Sequence, residues 1–350
     1  MIDQLMKRLT SILIVGIALL VGLIVVEVFS RLVMPISPGA RLLTLDGAPF
    51  VGLQVDAYRY KPNSVYRQVS AEFDARTTID SFGNRIPSPI GSPEVVFIGD
   101  SFTFGHGLPD EKTFASIYCR SEGLNCANLG RPGLGTTREL DILEYYLTKH
   151  KWQPKFVKLF MVAMSGTLMS GNDLYDNYLR ERRKVENGPL VSQTIGRPNS
   201  PKEERFKNDT TRDILRSIKN ITLEYSNLGR FLYFNVGHHI RTIFSPPASE
   251  GVLEIALQVT REQIFRFHRL AKKFGFKPKI FIIHPVQDLI RNTAHETVQV
   301  LENAVPGQKF VSSADLFADS PSRYYFSYDG HWNETGARIF AEFLSAETGD

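Results

Sequence analysis

Cysteine is scarce in this sequence: the 350-residue chain contains two, Cys119 and Cys126. Two cysteines do not form a zinc site by themselves, and no pair of histidines stands near them at ligand spacing. A zinc site built on them is therefore excluded. A disulfide between them stays open if this part of the chain lies outside the cytoplasm. Whether it forms depends on the distance between the two Cα atoms, which the sequence does not give.

Charge of one sign is not concentrated anywhere in the chain. Lysine and arginine together number 41 against 37 aspartate and glutamate, for a net charge of +4, and they are spread along the sequence. A nucleic-acid-binding protein needs a basic patch or stripe to contact phosphates. We therefore expect no nucleic-acid partner. We find no internal repeat either.

One long apolar run is present near the start of the chain. The segment from Ile12 to Val26 contains only apolar residues and glycine. Extended to Leu9 and Phe29, it reaches the ~20 residues that span a bilayer. A cleaved signal peptide has a similar pattern, but this run is long for one and no small-residue cleavage site follows. The sequence therefore predicts a retained single-pass anchor in the inner or plasma membrane.

Basic residues set the expected orientation of this anchor. Lys7 and Arg8 precede the apolar run, and positive residues flanking a membrane helix tend to stay in the cytoplasm. The rest of the chain is then expected to face the periplasm or the outside. Glu27 would lie near the far interface, where a charge costs less than at the bilayer centre.

Composition divides the chain into three parts. Residues 1–31 are the expected cytoplasmic start and transmembrane anchor. Residues 32–92 are rich in proline, glycine, tyrosine and arginine, and predict an irregular β-rich linker or platform. Residues 93–350 form the expected main domain. A charged, proline-containing stretch at about 175–249 interrupts its pattern and is interpreted as an insertion that could cover a site.

In the main domain, short apolar runs alternate with amphipathic segments. This alternation predicts an α/β fold with a parallel sheet and helices on both faces. Ligands of such sheets bind at the carboxyl ends of the strands. The predicted strands are 95–98, 127–129, 156–161, 279–283 and 310–311; the predicted helices are 110–118, 137–147, 253–274 and 334–344; and shorter β-like pieces are expected at 58–60 and 73–79.

The sequence FIGDSFTFG at 97–105 places a serine two residues after a glycine that ends a strand. Glycine allows a sharp turn, so the Ser101 hydroxyl can stand at the edge of the sheet. A serine hydroxyl becomes a good nucleophile when a base takes its proton. The alternative is that Ser101 only caps the following helix. Asp100 is expected to stabilise the turn.

The sequence YDGHWN at 328–333 contains a candidate for the base that would take the proton of Ser101. Asp329 stands two residues before His331, so its carboxylate can hold the Nδ1–H of the imidazole and leave Nε2 free. Asn333 is expected to cap the last helix just behind the histidine. Trp332 is interpreted either as a wall for a sugar ring or as a core residue. His284, after the fourth strand, either lines the site or is structural.

Four segments together resemble the motif blocks of the SGNH (GDSL-like) hydrolases, in the order of that family. They are GDSFTFG at 99–105, NLGRPG at 128–133, GND at 171–173 and DGH at 329–331. The resemblance implies a flavodoxin-like three-layer α/β/α fold. It also implies ester hydrolysis or acyl transfer by a Ser-His-Asp triad, without a metal or a cofactor.

The last block departs from the usual family pattern, because one residue instead of two separates Asp329 from His331. A similar Asp-x-His-Trp occurs in SGNH-like proteins that O-acetylate extracellular polysaccharides.

The resemblance also assigns roles to individual residues. Ser101 would attack the acyl carbonyl, His331 would take its proton, and Asp329 would orient His331. The Ser101 N–H, the Gly133 N–H and the Asn172 side chain would bind the oxyanion. Gly130 and Gly135 are alternatives to Gly133.

The functional hypothesis is an extracytoplasmic esterase or O-acyltransferase that acts on acyl esters, in particular acetyl esters, of carbohydrate. A transferase would need a membrane partner that supplies acyl groups. One alternative is a hydrolase of lipids or small esters. The other is a non-catalytic scaffold subunit of a membrane complex.

Overall fold

The chain divides into two compact units, which are considered separately. In the computed structural model, the smaller unit comprises Met1–Arg41, Ser70–Glu72 and Pro201–Phe244, and the larger comprises Leu42–Val69, Phe73–Ser200 and Ser245–Asp350. The structure describes residues 2–33, 58–69, 72–163, 173–175, 177–179, 226, 228–229, 250–327 and 329–347.

Helix α1, Ile2–Val33, contains the apolar run. Its segment Leu13–Leu32 has a mean hydropathy of 2.7 and is almost wholly exposed. By length and composition this helix can cross a membrane, as the sequence predicted; a signal sequence would meet the same two criteria.

Glu27, near the end of α1, is surrounded by hydrogen-bond donors. Its Oε1 accepts from the Nε of Arg31 at 2.8 Å. Its Oε2 accepts from the Oγ of Ser226 at 2.8 Å and from the backbone N–H of Leu228 at 3.1 Å. The carboxylate is therefore paired on both oxygens, which lowers the cost of its charge near the apolar segment.

The strands and the other helices with defined bounds belong to the larger unit. The strands are β1 Ser64–Val69, β2 Asp74–Ile79, β3 Val95–Gly99, β4 Cys126–Asn128, β5 Phe156–Val162, β6 Lys277–Ile283 and β7 Val311–Ser312. The helices are α2 Ser101–Phe104, α3 Phe114–Glu122, α4 Thr136–Lys149, α5 Glu250–Phe274, α6 Val286–Ile290, α7 Ala294–Ala304, α8 Ala314–Phe317, α9 Pro321–Tyr324 and α10 Glu334–Ala346.

Strands β3 to β7 form one parallel sheet in the order β4-β3-β5-β6-β7. Numbered along the chain, this is the order 2-1-3-4-5 of flavodoxin-like folds, in which a ligand binds between two adjacent strands whose following connections run in opposite directions. Those strands are β3 and β5. The five predicted strands are confirmed, with ends shifted by a residue or two.

Alternate residues of the sheet enter two separate cores. Val96 and Ile98 of β3 pack with side chains of α4, α5 and α7 on one face. Val95 and Phe97 pack with side chains of α3 and α10 on the other face. Strands buried on both faces read as continuous apolar runs, which is why β3 was recognisable. Helices on both faces confirm the predicted three-layer α/β/α architecture.

The β1–β2 hairpin and the segment after it belong to the same unit as the sheet. Arg85, which is fully buried, pairs with Asn128 at the end of β4. Its guanidinium donates to the backbone carbonyls of Phe104, Gly105 and Leu108, the first of them at 2.8 Å. This region therefore supports the chain that follows Ser101.

Arg131, on the turn after β4, binds the segments before and after the β1–β2 hairpin. Its Nη2 donates to the carbonyl oxygens of Tyr58 at 3.0 Å and Gly83 at 3.2 Å. The guanidinium lies 4.6 Å from the centre of the Tyr60 ring, within range of a cation–π contact.

The two cysteines form a disulfide, with Cα atoms 6.2 Å apart. It joins α3 to β4 and closes a short loop at the amino edge of the sheet. The bond answers the question that the sequence left open, because the fold brings both Cα atoms to bonding distance.

Some local predictions were wrong. The predicted helix 110–118 begins only at Phe114, because Asp110–Lys112 form a 3₁₀ turn and Thr113 caps α3. Residues 58–60 do not form a strand, whereas 64–69 do. Nearly all of the predicted insertion 175–249 lies outside the described residues.

A lysine is buried inside the sheet. Lys158 of β5 is 2% exposed, and its Nζ has no hydrogen-bond partner among the described residues. The Nζ lies 4.8 Å from the centre of the Tyr118 ring and 5.6 Å from that of Phe281. Burial lowers the pKa of Lys158 to about 8. The charged amine is therefore less stable here than in water.

We expect Lys158→Met to raise the free energy of unfolding at pH 7 by about 1–3 kcal/mol. The wild type should also gain stability between about pH 8 and pH 10.5, because the unfolded chain then binds more protons, and the variant should not. Urea unfolding at several pH values measures both effects. Lys272→Met, on the exposed side of α5, is the matched control. A loss of stability in Lys158→Met would show that the amine stabilises the fold.

Candidate active site

Ser101 lies directly after β3, at the carboxyl edge of the sheet. It is the first residue of the single-turn helix α2. The preceding Gly99 is required by close packing: a Cβ there would lie 2.2 Å from the Oγ1 of Thr103 and 2.8 Å from the carbonyl oxygen of Phe160. The chain therefore turns tightly against β5, and the turn brings Ser101 to the edge.

Asp100 caps the turn. Its buried carboxyl accepts from the backbone N–H of Phe102 at 2.9 Å and lies 3.4 Å from the Oγ of Ser101. Burial raises the pKa of Asp100 to about 6, although the charge of His331 and these hydrogen bonds oppose the shift. The expectation that Asp100 stabilises the turn is confirmed.

The structure brings the three residues of the predicted triad into contact. The Nε2 of His331 lies 2.6 Å from the Oγ of Ser101. The Nδ1 of His331 is hydrogen-bonded to the Oδ1 of Asp329. A carboxylate can only accept, so Nδ1 bears the proton and Nε2 is left to accept from the serine hydroxyl. This geometry is that of an activated serine nucleophile.

The chain around His331 is fixed by its neighbours. Asn333 caps α10, because its Oδ1 accepts from the N–H of Thr335 at 3.0 Å and of Gly336 at 3.1 Å. Trp332 is 2% exposed and packs 4.4 Å from the Phe340 ring, centre to centre. Trp332 is therefore a core residue and does not form a wall for a sugar. Both anchors follow His331 directly in the chain and fix the end of its loop.

The opposite charges of His331 and Asp329 shift the pKa of both residues. Burial lowers the pKa of His331, but the carboxylate of Asp329 raises it more, so the net pKa is above the ordinary histidine value. Partial burial raises the pKa of Asp329, but the charge of His331 and two hydrogen bonds hold it well below its usual range. Asp329 is thus ionised at any pH near neutrality.

The backbone groups that are predicted to bind the oxyanion differ in their surroundings. Gly133 has a φ of 74°, and nothing lies within 4 Å of where a Cβ would stand, so its backbone borders open space. The N–H of Gly130 already donates to the Oδ1 of Asn128 at 2.9 Å, which removes Gly130 as the alternative. The Ser101 N–H interacts with the Asp100 carboxyl, with which an oxyanion would compete. Gly135 precedes α4 in an extended conformation.

Asn172 lies outside the described residues, so its predicted role stays a prediction. Its neighbour Asp173 is buried and joins two elements. Asp173 accepts from the backbone N–H of Thr136 at 2.7 Å and from that of Val162 at 2.7 Å. Asp173, the last residue of the third motif block, is therefore anchored at the carboxyl end of β5, next to the start of α4.

One residue of the site was missed in the sequence. His106 is 5% exposed, and its Nε2 lies 3.4 Å from the Oδ2 of Asp329. Its only signal in the sequence is its place five residues after Ser101, between two glycines. Donor atoms of His106, Asp329 and His331 all lie within 4.8 Å, close enough to share a metal ion. The contacts of Asp329 with His331 and with His106 account for the same proximity.

His284 has a structural role. It is fully buried, with Nδ1 lying 3.1 Å from the Oδ2 of Asp288 and Nε2 lying 2.9 Å from the Oγ of Ser312. Both ring nitrogens are thus occupied inside the protein, which excludes the alternative that His284 lines the site.

No family model matches the chain. No curated protein matches it either. Among solved structures, a lipolytic protein of the G-D-S-L family from Desulfitobacterium hafniense DCB-2 is 13% identical, with a TM-score of 0.36 over 72% of this chain and 97% of that one. Axe2, an acetylxylan esterase from Geobacillus stearothermophilus, is 13% identical, with a TM-score of 0.37 over 75% and 96%.

An alpha/beta hydrolase enzyme from the metagenome of Lake Arreo is 11% identical, with a TM-score of 0.37 over 74% of this chain and 97% of that one. At such scores, the chemistry of this chain has to be inferred from its own site.

Proposed function

We propose that this protein is a serine ester hydrolase or O-acyltransferase that uses Ser101, His331 and Asp329. The observation that supports it most is the 2.6 Å contact between the Oγ of Ser101 and the Nε2 of His331, at the carboxyl edge of the sheet. A serine that only capped α2 would need no base at that distance. The contact with Asp329 completes the arrangement that makes a serine nucleophilic.

The reaction follows from this geometry. The Oγ of Ser101 attacks the ester carbonyl carbon while Nε2 of His331 takes its proton. The tetrahedral intermediate collapses, and the leaving alcohol takes that proton from His331, which leaves an acyl group on Ser101. Water, or a hydroxyl of an acceptor, then gives a proton to His331 and attacks the acyl group, and Ser101 is regenerated. Asp329 stabilises the imidazolium of His331 during both the formation and the breakdown of the acyl-enzyme.

The oxyanion of each intermediate needs donors at the same edge. The proposed donors are the Gly133 N–H, on the turn after β4, and the Asn172 side chain. Loss of one such donor costs about 10²–10³ in rate in comparable enzymes.

We place the larger unit outside the cytoplasm, tethered by α1. Lys7 and Arg8 before the apolar segment favour this orientation. The Cys119–Cys126 disulfide supports it independently, because disulfides persist in oxidising compartments and are rare in the cytosol.

The proposed substrates are acyl, in particular acetyl, esters of carbohydrate. A tethered extracytoplasmic enzyme has envelope glycans within its reach, and the Asp-x-His-Trp motif resembles that of proteins that O-acetylate polysaccharides. If the acyl group is transferred to a sugar, a membrane partner would supply it. Release of acetate from an O-acetylated oligosaccharide distinguishes hydrolysis from transfer.

The pH dependence of kcat/KM should follow His331. Below its pKa, His331 is protonated on Nε2 and cannot take the proton of Ser101. Because that pKa is raised, we expect the rate to increase with pH and to level off only above the ordinary histidine value of about 6.5. Hydrolysis of a soluble aryl acetate between pH 5 and 9 measures this. A plateau already reached below the ordinary value would contradict the assignment of His331 as base.

A fluorophosphonate probe tests the proposal as a whole. The full chain in detergent is incubated with the probe and digested, and the modified peptide is identified by mass spectrometry. We expect one adduct, on Ser101. A folded protein that takes no label would count against a self-sufficient hydrolase and favour the scaffold. Labelling that requires an added membrane fraction would support a transferase.

A further inference from the structure

His106 is attached to the same turn as the nucleophile. Its backbone N–H donates to the carbonyl oxygen of Ser101 at 3.0 Å, at the end of α2. The glycines on either side, Gly105 and Gly107, have φ values of 82° and 75°, which side chains with a Cβ rarely adopt. The chain therefore makes two unusual turns that direct one buried imidazole toward the triad.

The ring of His106 is held in place by aromatic neighbours. It meets the Phe73 ring edge to face at 5.4 Å between centres, and it lies 4.5 Å from the ring of His331. Its side chain is 6% exposed. An imidazole so enclosed has little freedom to rotate, so the position of its Nε2 is well defined.

The carboxylate of Asp329 needs such support. Its Oδ1 is occupied by His331, while its side chain is 25% exposed and belongs to a loop. Without a second contact, the carboxylate could rotate about its last bond and lose its alignment with Nδ1. The Nε2 of His106, 3.4 Å from Oδ2, is such a contact.

His106 provides this contact as a neutral group. Burial and the charge of His331 lower its pKa, with Arg85 contributing, and these effects exceed the opposing effect of Asp329. Because Asp329 is ionised and can only accept, the neutral ring must present its proton on Nε2. A neutral donor fixes the carboxylate without placing a second positive charge beside His331.

We propose that His106 is a positioning residue: its Nε2–H holds the Oδ2 of Asp329, so that Oδ1 stays aligned with the Nδ1–H of His331. The role rests on the proposed function, because it acts through the triad. His106 itself touches no reacting atom.

Two substitutions distinguish the loss of the hydrogen-bond donor of His106 from the loss of its side-chain packing. His106→Gln keeps an N–H at the distance of Nε2, whereas His106→Leu keeps an apolar side chain of similar reach without a donor. For hydrolysis of an aryl acetate by the full chain, we expect kcat of His106→Leu to fall about 10–100-fold with KM little changed. His106→Gln should recover most of that loss. Equal losses in both variants, or wild-type kcat in His106→Leu, would overturn the proposal.

A second measurement does not depend on activity. A proton shared by His331 Nδ1 and Asp329 gives an NMR signal at very low field, because the bond is charge-assisted. We expect this signal in the wild type and in His106→Gln, and its loss or broadening in His106→Leu. An unchanged signal in His106→Leu would overturn the role of His106 even in an active enzyme. If the wild type is inactive, the proposed function fails, and this signal still decides the role of His106.

Discussion

Replacing Ser101 with alanine should lower kcat for ester hydrolysis by about 10⁴–10⁶-fold. Without Oγ there is no nucleophile for the acyl group, and the base at 2.6 Å can activate only a misplaced water. The fold should persist, because Ser101 is half-buried at the edge of the sheet and the loss leaves no large cavity. Rates with an aryl acetate and fluorophosphonate labelling measure the effect.

The matched control is Ser121→Ala, on the exposed side of α3, which should keep wild-type kcat. Thermal unfolding followed by circular dichroism checks that both variants are folded. A Ser101→Ala variant that retained more than about a tenth of the activity would exclude Ser101 as nucleophile, since loss of a true nucleophile costs orders of magnitude more.

The second large effect is expected for Asp329→Asn, in which kcat should fall about 10³–10⁴-fold. An amide does not stabilise the imidazolium as a carboxylate does. If its NH₂ faces Nδ1, it also favours the tautomer with the proton on Nε2, which then cannot accept from Ser101. KM should change little, because the side chain does not face the acyl group.

The chain offers a close control for this change. Asp315 also contacts a histidine, with its Oδ1 lying 3.3 Å from the Nε2 of His295, but this pair is exposed. We expect Asp315→Asn to leave kcat unchanged, because an exposed pair contributes little. Comparable rates for Asp329→Asn and the wild type would refute the assigned role of Asp329.

The sheet could be predicted well because its central strands are buried on both faces. The apolar runs 95–98 and 280–283 have no polar interruption that would hide them. Strand β1 was missed for the opposite reason: Gln68, buried on its inner face, breaks the apolar alternation. The fold compensates by pairing Gln68 with Thr77 across the hairpin, which the sequence does not reveal.

The start of α3 was misplaced for a similar reason. Asp110 reads as an N-terminal helix residue, but its carboxylate accepts from the backbone N–H of Thr78 at 3.0 Å. A contact between positions 32 residues apart competes here with local preference. Tertiary contacts of this kind decide element boundaries and leave no local pattern.

The candidate site was predictable where its residues belong to motifs. Ser101, Asp329 and His331 stand in recognisable patterns, and the fold brings them together. The part played by each remains to be tested by the variants above. His106 belongs to no motif, because its proximity to Asp329 arises from two glycine turns and from the return of the chain after β7.

The dependence of the nucleophile turn on Arg85 sets a limit on how the chain can be shortened. The guanidinium supplies the donors for three carbonyls that follow Ser101. A version that began at residue 93, where the strand-helix alternation starts, would lose these hydrogen bonds from a charged donor, at a cost of about 1.5–3 kcal/mol each. The smallest self-sufficient unit therefore begins before Arg85. Grafting the loop of Ser101 onto another scaffold would require the transfer of Arg85 with it.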